Sequence, residues 1–384
     1  MKVAVCGGGS IALTAAAVMA ARPSFEVTVL TRRPEDWSRA LTVHFGDHLR
    51  LVGSIQATND PARAIAGRDW VLLAVPAYAR ADILERIRPC LDARTWVGCI
   101  GSSVGFDWLV SRILGSGTRH FGLQRAPWIA RTVTRGRLAH VTAVRASVNF
   151  AGHPRAALAN LAPQLSDALG LACRPAPSFL AVTLGFDNAT LHPPRLYTLF
   201  SPGRPVLPTE RFYGAWNDAA SDCLLALDDE LSRIRRALRV ADDVGARAHF
   251  GVDSAPALTA RIRAMAALRH IAAPALASGA PELASRFFQE DFVHGLAVHG
   301  EIGRVAGIRT PTLDRMLRWA ESLLRRPLGY DGSRIARHDD PPFPQTFGYT
   351  DAHALTSGAP EAPSPVRHVR EAPGTPREIR RMPC

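Results

Sequence analysis

Lysine is almost missing from this chain. Lys2 is the only one in 384 residues, so the formal charge of +12 rests on arginine. The arginines are spread along the sequence and build no basic stripe, which argues against a nucleic-acid-binding face. Long apolar runs are also missing: no window reaches the ~18 uninterrupted apolar residues that a membrane span needs. The alanine-rich run 11–21 follows a glycine-rich turn and a single positive charge, so it reads as a buried helix and not as the core of an export signal. Cysteine is sparse. Cys6, Cys90, Cys99, Cys173, Cys223 and Cys384 offer no CxxC pair and no metal-ligand spacing. Without an export signal they are expected to be reduced thiols of a cytoplasmic protein. These absences exclude nucleic acid, membrane and structural metal as the organising partner.

What remains is a globular chain, with 47% apolar residues, long enough for two cores. Residues 2–6 form a short apolar run without polar alternation, as in a strand buried on both faces. Gly7-Gly8-Gly9-Ser10 follows, then a small-residue helix to about Ala21, then a second strand from Phe25 to Leu30. Residues 69–76 and 96–103 read as further buried strands, with a helix over 78–88 between them. Strands alternating with helices predict a Rossmann-type, doubly wound parallel sheet. From about residue 160 the pattern turns helical: residues 209–238, 255–277, 281–289, 293–307 and 311–325 carry apolar residues at helical spacing, with Pro311 at a helix start. The expected organisation is a nucleotide-binding α/β domain over 1–160, an all-α domain over 161–330, and a poorly ordered tail over 331–384 rich in proline, glycine and arginine.

At the first strand-to-helix turn, Gly7-x-Gly9-x-x-Ala12 has the spacing of a dinucleotide fingerprint. Gly7 permits the turn, Gly9 lets the pyrophosphate approach the backbone, and Ala12 keeps helix and strand close. Ser10 and Ile11 open the helix whose free N–H groups face the phosphates. The second strand lacks the acidic residue that usually accepts from the NAD ribose. Thr31-Arg32-Arg33 stands there instead, ready for a 2′-phosphate, so NADP is expected over NAD. Val75 and Pro76, at the end of a later strand, are expected to line the same cleft. A solvated arginine pair is the plain alternative.

Two distant stretches carry residue types suited to proton transfer on an acid substrate. Asn188-Ala-Thr-Leu-His192-Pro-Pro194 offers an imidazole ahead of a Pro-Pro break. Arg286-Phe-Phe-Gln-Glu290-Asp291 offers a guanidinium and a carboxylate. Taken singly, each has an ordinary structural reading, and spacing alone does not bring His192 to Asp291.

Asn188-x-x-x-His192-Pro and Arg286-x-x-x-Glu290-Asp291-x-x-x-Gly295-Leu296, with Gly307-Ile-Arg-Thr-Pro311-Thr-Leu-Asp314, resemble the octopine/nopaline dehydrogenases, the opine dehydrogenase family. Gln124-Arg-Ala-Pro127-Trp-Ile-Ala-Arg131 and the segment from Phe212-Tyr213 to Glu230 are similar too. The resemblance spans roughly residues 2–325. It implies a Rossmann domain followed by a helical one, and reductive condensation of an amino acid with an α-keto acid by NAD(P)H. Carried onto this chain, it makes His192 the general acid/base, paired with Asp291. Arg286 takes a substrate carboxylate, Asn188 orients substrate or nicotinamide, and Arg131 is a second anion contact. Phe292-Val293-His294 departs from the proline and tyrosine of many relatives; His294 either alters the pocket or faces solvent, and solvent is the expectation. A homodimer is compatible with the sequence. Two other readings stay open: a dehydrogenase of a simple hydroxy or keto acid, using the same His–carboxylate chemistry, and a non-catalytic nucleotide-binding protein.

Overall fold

The computed structural model describes residues 1–46, 49–101, 104–201, 203, 205–241, 244–330, 332 and 340–358. Among the described residues eleven strands form one sheet: β1 (Lys2–Cys6), β2 (Glu26–Leu30), β3 (Ala40–Phe45), β4 (Leu49–Thr58), β5 (Trp70–Leu73), β6 (Trp96–Cys99), β7 (His120–Leu123), β8 (Trp128–Thr134), β9 (Leu138–Val144), β10 (Ser147–His153) and β11 (Ala172–Pro175). Their order is β11-β10-β7-β6-β5-β1-β2-β4-β3-β9-β8. The centre, β7-β6-β5-β1-β2-β4, is parallel. At the flanks, β10 runs antiparallel to β7, and β3–β4 and β8–β9 are antiparallel pairs.

Helices cover both faces, as the apolar runs require. One face packs on α1 (Ser10–Ala20) and α5 (Leu158–Leu169). The other packs on α2 (Pro61–Ile65), α3 (Arg80–Ile87) and α4 (Phe106–Ile113). This is the expected Rossmann-type α/β unit. It extends past residue 160, because the edge strand β11 pairs in parallel with β10 and α5 connects them. The sheet unit therefore closes at about Pro175.

The helical unit comprises α6 (Phe179–Thr183), α7 (Asn188–Phe200), α8 (Asp218–Ala237), α9 (Ala246–Phe250), α10 (Ala255–Arg263), a π-helical segment Phe287–Leu296 running into α11 (Ala297–Val305), and α12 (Pro311–Leu324). Side-chain caps start several of them. Asp187 accepts from Ala189 N (2.8 Å) at α7, and Asn217 from Ala220 N (3.1 Å) at α8. Two expectations change here. Pro193-Pro194 does not break the chain but sits inside α7, with both rings buried in the helical core. The helix expected over 255–277 stops at Arg263. Beyond it lie isolated bridges, Arg211 to Ala272 and Ala275 to Pro281, where Pro274 and Pro281 deny the backbone two donors.

The expectation of a loose tail from 331 does not hold for residues 340–358. Phe343, Tyr349, Ala354 and Leu355 are buried, and α13 (Ala352–Ser357) is capped by Asp351. Gln345 Nε2 donates to Glu301 of α11 (2.7 Å), while Arg112 of α4 donates to Thr346 O (2.8 Å). The segment thus straps the helical unit to the sheet unit. Prolines had masked its aromatic anchors. Residues 359–384 lie outside the described residues.

Under this strap sits Asp107, whose Oδ1 is buried without a hydrogen-bond partner among the described residues. Burial pushes its carboxyl up to about 7, opposed by backbone N–H groups of Trp108 and Asp107. A carboxyl with a raised folded-state pKa favours the fold while protonated, and that contribution is lost as pH rises from the ordinary carboxylate range through about 7. Asp107→Asn is therefore expected to raise the melting temperature by several degrees at pH ~8 and to change little at pH ~4. Thermal unfolding of both proteins across this range is the check, and equal pH dependence would remove Asp107 as its source.

Candidate active site

At the nucleotide end, Gly7 adopts φ +146°, and a Cβ there would stand 2.5 Å from Ala74 O, so only glycine fits. Gly9 caps α1 without a side-chain bond, and a Cβ on it would meet nothing within 4 Å. The first turn of α1 carries no acidic residue. An open helix N-terminus of this kind suits a pyrophosphate. Ala12 is fully buried, and Ile11 is partly buried. Ser10 is tied down: its Oγ lies 3.0 Å from Thr132 Oγ1 and accepts from Thr132 N at 3.0 Å. Thr31 is buried at the tip of β2, while Arg32 and Arg33 are exposed and form no ion pair among the described residues. Val75 and Pro76 follow β5, half-buried, at the same edge of the sheet.

The imidazole of His192 and the carboxylate of Asp291, 99 residues apart, meet at 2.6 Å through Nδ1 and Oδ2. Two features make this contact. Gly295 lies against α7 so closely that a Cβ on it would collide with Ala189 Cβ, so glycine admits the approach. The π-helical winding then carries Asp291 on a widened turn, of a kind concentrated at functional sites. Both side chains are buried, and Phe212 and Phe287 pack on the imidazole at 5.6 and 4.7 Å. Burial holds the Asp291 carboxyl above its ordinary range, and the adjacent His192 opposes that shift.

The other ring nitrogen, Nε2, lies 2.6 Å from the Tyr213 hydroxyl. This partner was missed in the sequence, although Phe212-Tyr213 fell in a recognised segment. Burial first, and then the Asp291 charge, raise the Tyr213 phenol, whereas Arg131 and Arg145 pull it down. Arg131 on β8 and Arg145 after β9 thus place positive charge within reach of the phenol. Arg145 Nε donates to Ala126 O (2.9 Å), and Arg125 Nε to Phe186 O (2.6 Å), which pins this loop to the start of α7.

Arg286 points its Nε and Nη2 at Glu290 Oε2, both at 2.6 Å, and is paired rather than free. Glu290 is buried, and its second oxygen accepts from Ala77 N (3.3 Å), one residue beyond Pro76. Glu290 therefore links the π-helical segment to the loop that follows β5. Asn188 is exposed at the first turn of α7, four residues before His192 and so on the same helical face. His294 does not face solvent. It is buried near the Tyr78 ring (6.3 Å), and burial together with Arg80 and Arg326 pushes it down to about 3. Tyr78 and Arg80 reach it from the sheet unit, which no local pattern discloses. Among the described residues no cluster could hold a metal ion, and no helix is long and apolar enough to cross a membrane.

A glycine-rich nucleotide cradle on a parallel sheet, facing a buried His–carboxylate pair on a helical unit, defines a two-domain nicotinamide-dependent oxidoreductase. The model of the "NAD/NADP octopine/nopaline dehydrogenase, alpha-helical domain" matches residues 175–324, and that of ketopantoate reductase PanE/ApbA matches residues 3–140. Octopine dehydrogenase from Mizuhopecten yessoensis is 25% identical over 401 residues, 94% of this chain and 100% of its own length. An uncharacterised protein from Sinorhizobium fredii is 32% identical over 260 residues, covering 62% of this chain and 68% of the relative. A solved octopine dehydrogenase with NADH and L-arginine superposes with a TM-score of 0.79 at 23% identity, over 93% of this chain and 98% of that one. The chain belongs to the octopine/nopaline (opine) dehydrogenase family.

Proposed function

We propose that this protein is an opine dehydrogenase that reductively condenses the amino group of an amino acid with an α-keto acid, using NADPH in preference to NADH. The observation that carries the reading is the buried 2.6 Å contact between His192 and Asp291 at the junction of the two units. The dinucleotide would lie on the backbone of Gly7 to Ile11 with Ala12 behind it. Ser10 would contribute its N–H, since its hydroxyl is held by Thr132. Thr31, Arg32 and Arg33 would meet the adenosine ribose and its 2′-phosphate, and Val75 and Pro76 would flank the nicotinamide half. When bound, the reduced cofactor supplies the hydride.

The protein supplies position and protons. Asp291 fixes the His192 tautomer with Nδ1–H donated and stabilises the imidazolium. His192 removes a proton from the substrate ammonium, which frees the amine to attack the keto carbon. It returns that proton to the resulting hydroxyl, which leaves as water and gives the imine. Imidazole suits both strokes because it accepts and donates near neutral pH. Burial of the pair excludes the water that would otherwise compete for these protons. Arg131, with Arg145 beside it, would hold one substrate carboxylate. Arg286 would hold the other after exchanging part of its contact with Glu290, and Asn188 would orient the acceptor.

The test is oxidation of NADPH and NADH by the purified protein across a grid of amino acids and α-keto acids, with wells lacking each partner. Turnover that needs both partners is expected. Turnover with a keto acid alone would reassign the protein to the simple hydroxy-acid dehydrogenases, and cofactor binding without any turnover to a non-catalytic role.

A further inference from the structure

We propose that Tyr213 is the residue through which His192 exchanges its proton with the substrate, so that the working unit is the chain Asp291–His192–Tyr213. The inference rests on the reading of this site as a condensation centre. Its ground is that both ring nitrogens are taken, each at 2.6 Å: Nδ1 by the Asp291 carboxylate and Nε2 by the Tyr213 hydroxyl. With Nδ1–H donated to Asp291, Nε2 holds a lone pair and the phenol must donate to it. A substrate could touch Nε2 only by displacing the phenol, whereas the phenol oxygen has no second hydrogen-bond partner among the described residues and could take one from a substrate with the whole chain intact.

The surroundings fit a relay. Phe212 packs edge-on to Tyr213 at 5.0 Å, and with Phe287 it holds the imidazole in place. Burial and the Asp291 charge keep the phenol protonated, and the positive charges of Arg131 and Arg145 ease its brief loss of a proton. These are the charged groups that act on it from the helical unit and from the β8–β9 pair. In the first stroke the substrate ammonium gives a proton to the Tyr213 oxygen as Tyr213 gives its own to His192 Nε2, leaving an imidazolium against Asp291. In the second, His192 returns a proton to Tyr213 as the phenol proton passes to the departing hydroxyl. Water leaves, and both residues regain their starting state.

The experiment compares wild type with Tyr213→Phe in single-turnover condensation across mixtures of light and heavy water. A buried tyrosine that merely packs would lower stability and leave the proton count untouched. The expected result is a single-turnover rate reduced about 100-fold or more, with cofactor affinity and keto-acid KM within about threefold of wild type. Alongside it, the proton inventory, bowl-shaped in the wild type because two protons move together, should become linear. A rate within about threefold, or an unchanged inventory, overturns the proposal. If the variant does not fold, 3-fluorotyrosine at position 213 keeps the shape while making the phenol more acidic. A rate insensitive to that change would likewise count against the relay. Wild-type protein that fails to condense any pair takes down the functional reading and this one together, whereas active wild type with an equally active Tyr213→Phe removes only the relay.

Discussion

His192→Asn is expected to fold, to bind the reduced cofactor as the wild type does, and to lose about 10²–10⁴-fold in kcat. Asparagine is the informative replacement because its amide can keep donating to Asp291 where Nδ1–H did. The buried carboxylate is then not left without a partner, which would cost stability and blur the result. What disappears is Nε2, the side of the ring that faces Tyr213. A loss confined to kcat, with cofactor affinity intact by fluorescence titration, would place the defect in proton transfer. Asp291→Asn should fall in the same range for a different reason: a neutral amide no longer stabilises the imidazolium and can impose the wrong tautomer. The double variant should be little worse than either single one, because residues that act as a unit are not additive. Full additivity would mean that the two residues do not form a pair, and undiminished activity of His192→Asn would remove it from the mechanism.

The nucleotide end was legible in the sequence because its constraints are local. The turn from β1 into α1 needs glycine at Gly7 for its φ, a small residue at Ala12, and an apolar strand on each side. The buried central strands announce themselves as apolar runs. The flanking strands do not. In β8, Arg131 to Thr134 are exposed, so half of that strand reads as polar surface. Pro193-Pro194 misled for a tertiary reason: the rings are worth burying in the helical core even though two helical N–H bonds are lost. The contact of His192 with Asp291 was available only through family resemblance, since its cause is the fit of Gly295 on Ala189 across two helices. Tyr213, Arg145 and the link from Glu290 to Ala77 are likewise products of packing between segments far apart in the chain.

Replacing Arg32 and Arg33 together by serine is expected to raise the KM for NADPH by about 10- to 100-fold and to leave that for NADH nearly unchanged. The magnitude corresponds to about 1.4–2.8 kcal/mol for the pair together, the worth of one charge-assisted bond and less than two because an exposed contact is screened, against a 2′-phosphate that NADH does not carry. β2 ends at Leu30, and the acidic residues that follow arrive late, on the turn Pro34–Asp36. Asp36 is already engaged by Arg135 at 3.0 Å, which leaves it ill placed to accept from a ribose hydroxyl. Arg32 and Arg33, exposed and without an ion pair among the described residues, have nothing to surrender on meeting a phosphate. Such exposed arginines are worth little to the fold, so the variant should melt with the wild type and the effect should be read in the cofactor alone. It should also shrink as salt rises, because a 2′-phosphate contact at exposed arginines would be partly solvated and screened. Wild-type protein that turns over NADH as well as NADPH, or a variant in which both cofactors weaken equally, would mean that the pair is only solvated surface and that selectivity is set elsewhere in the cleft.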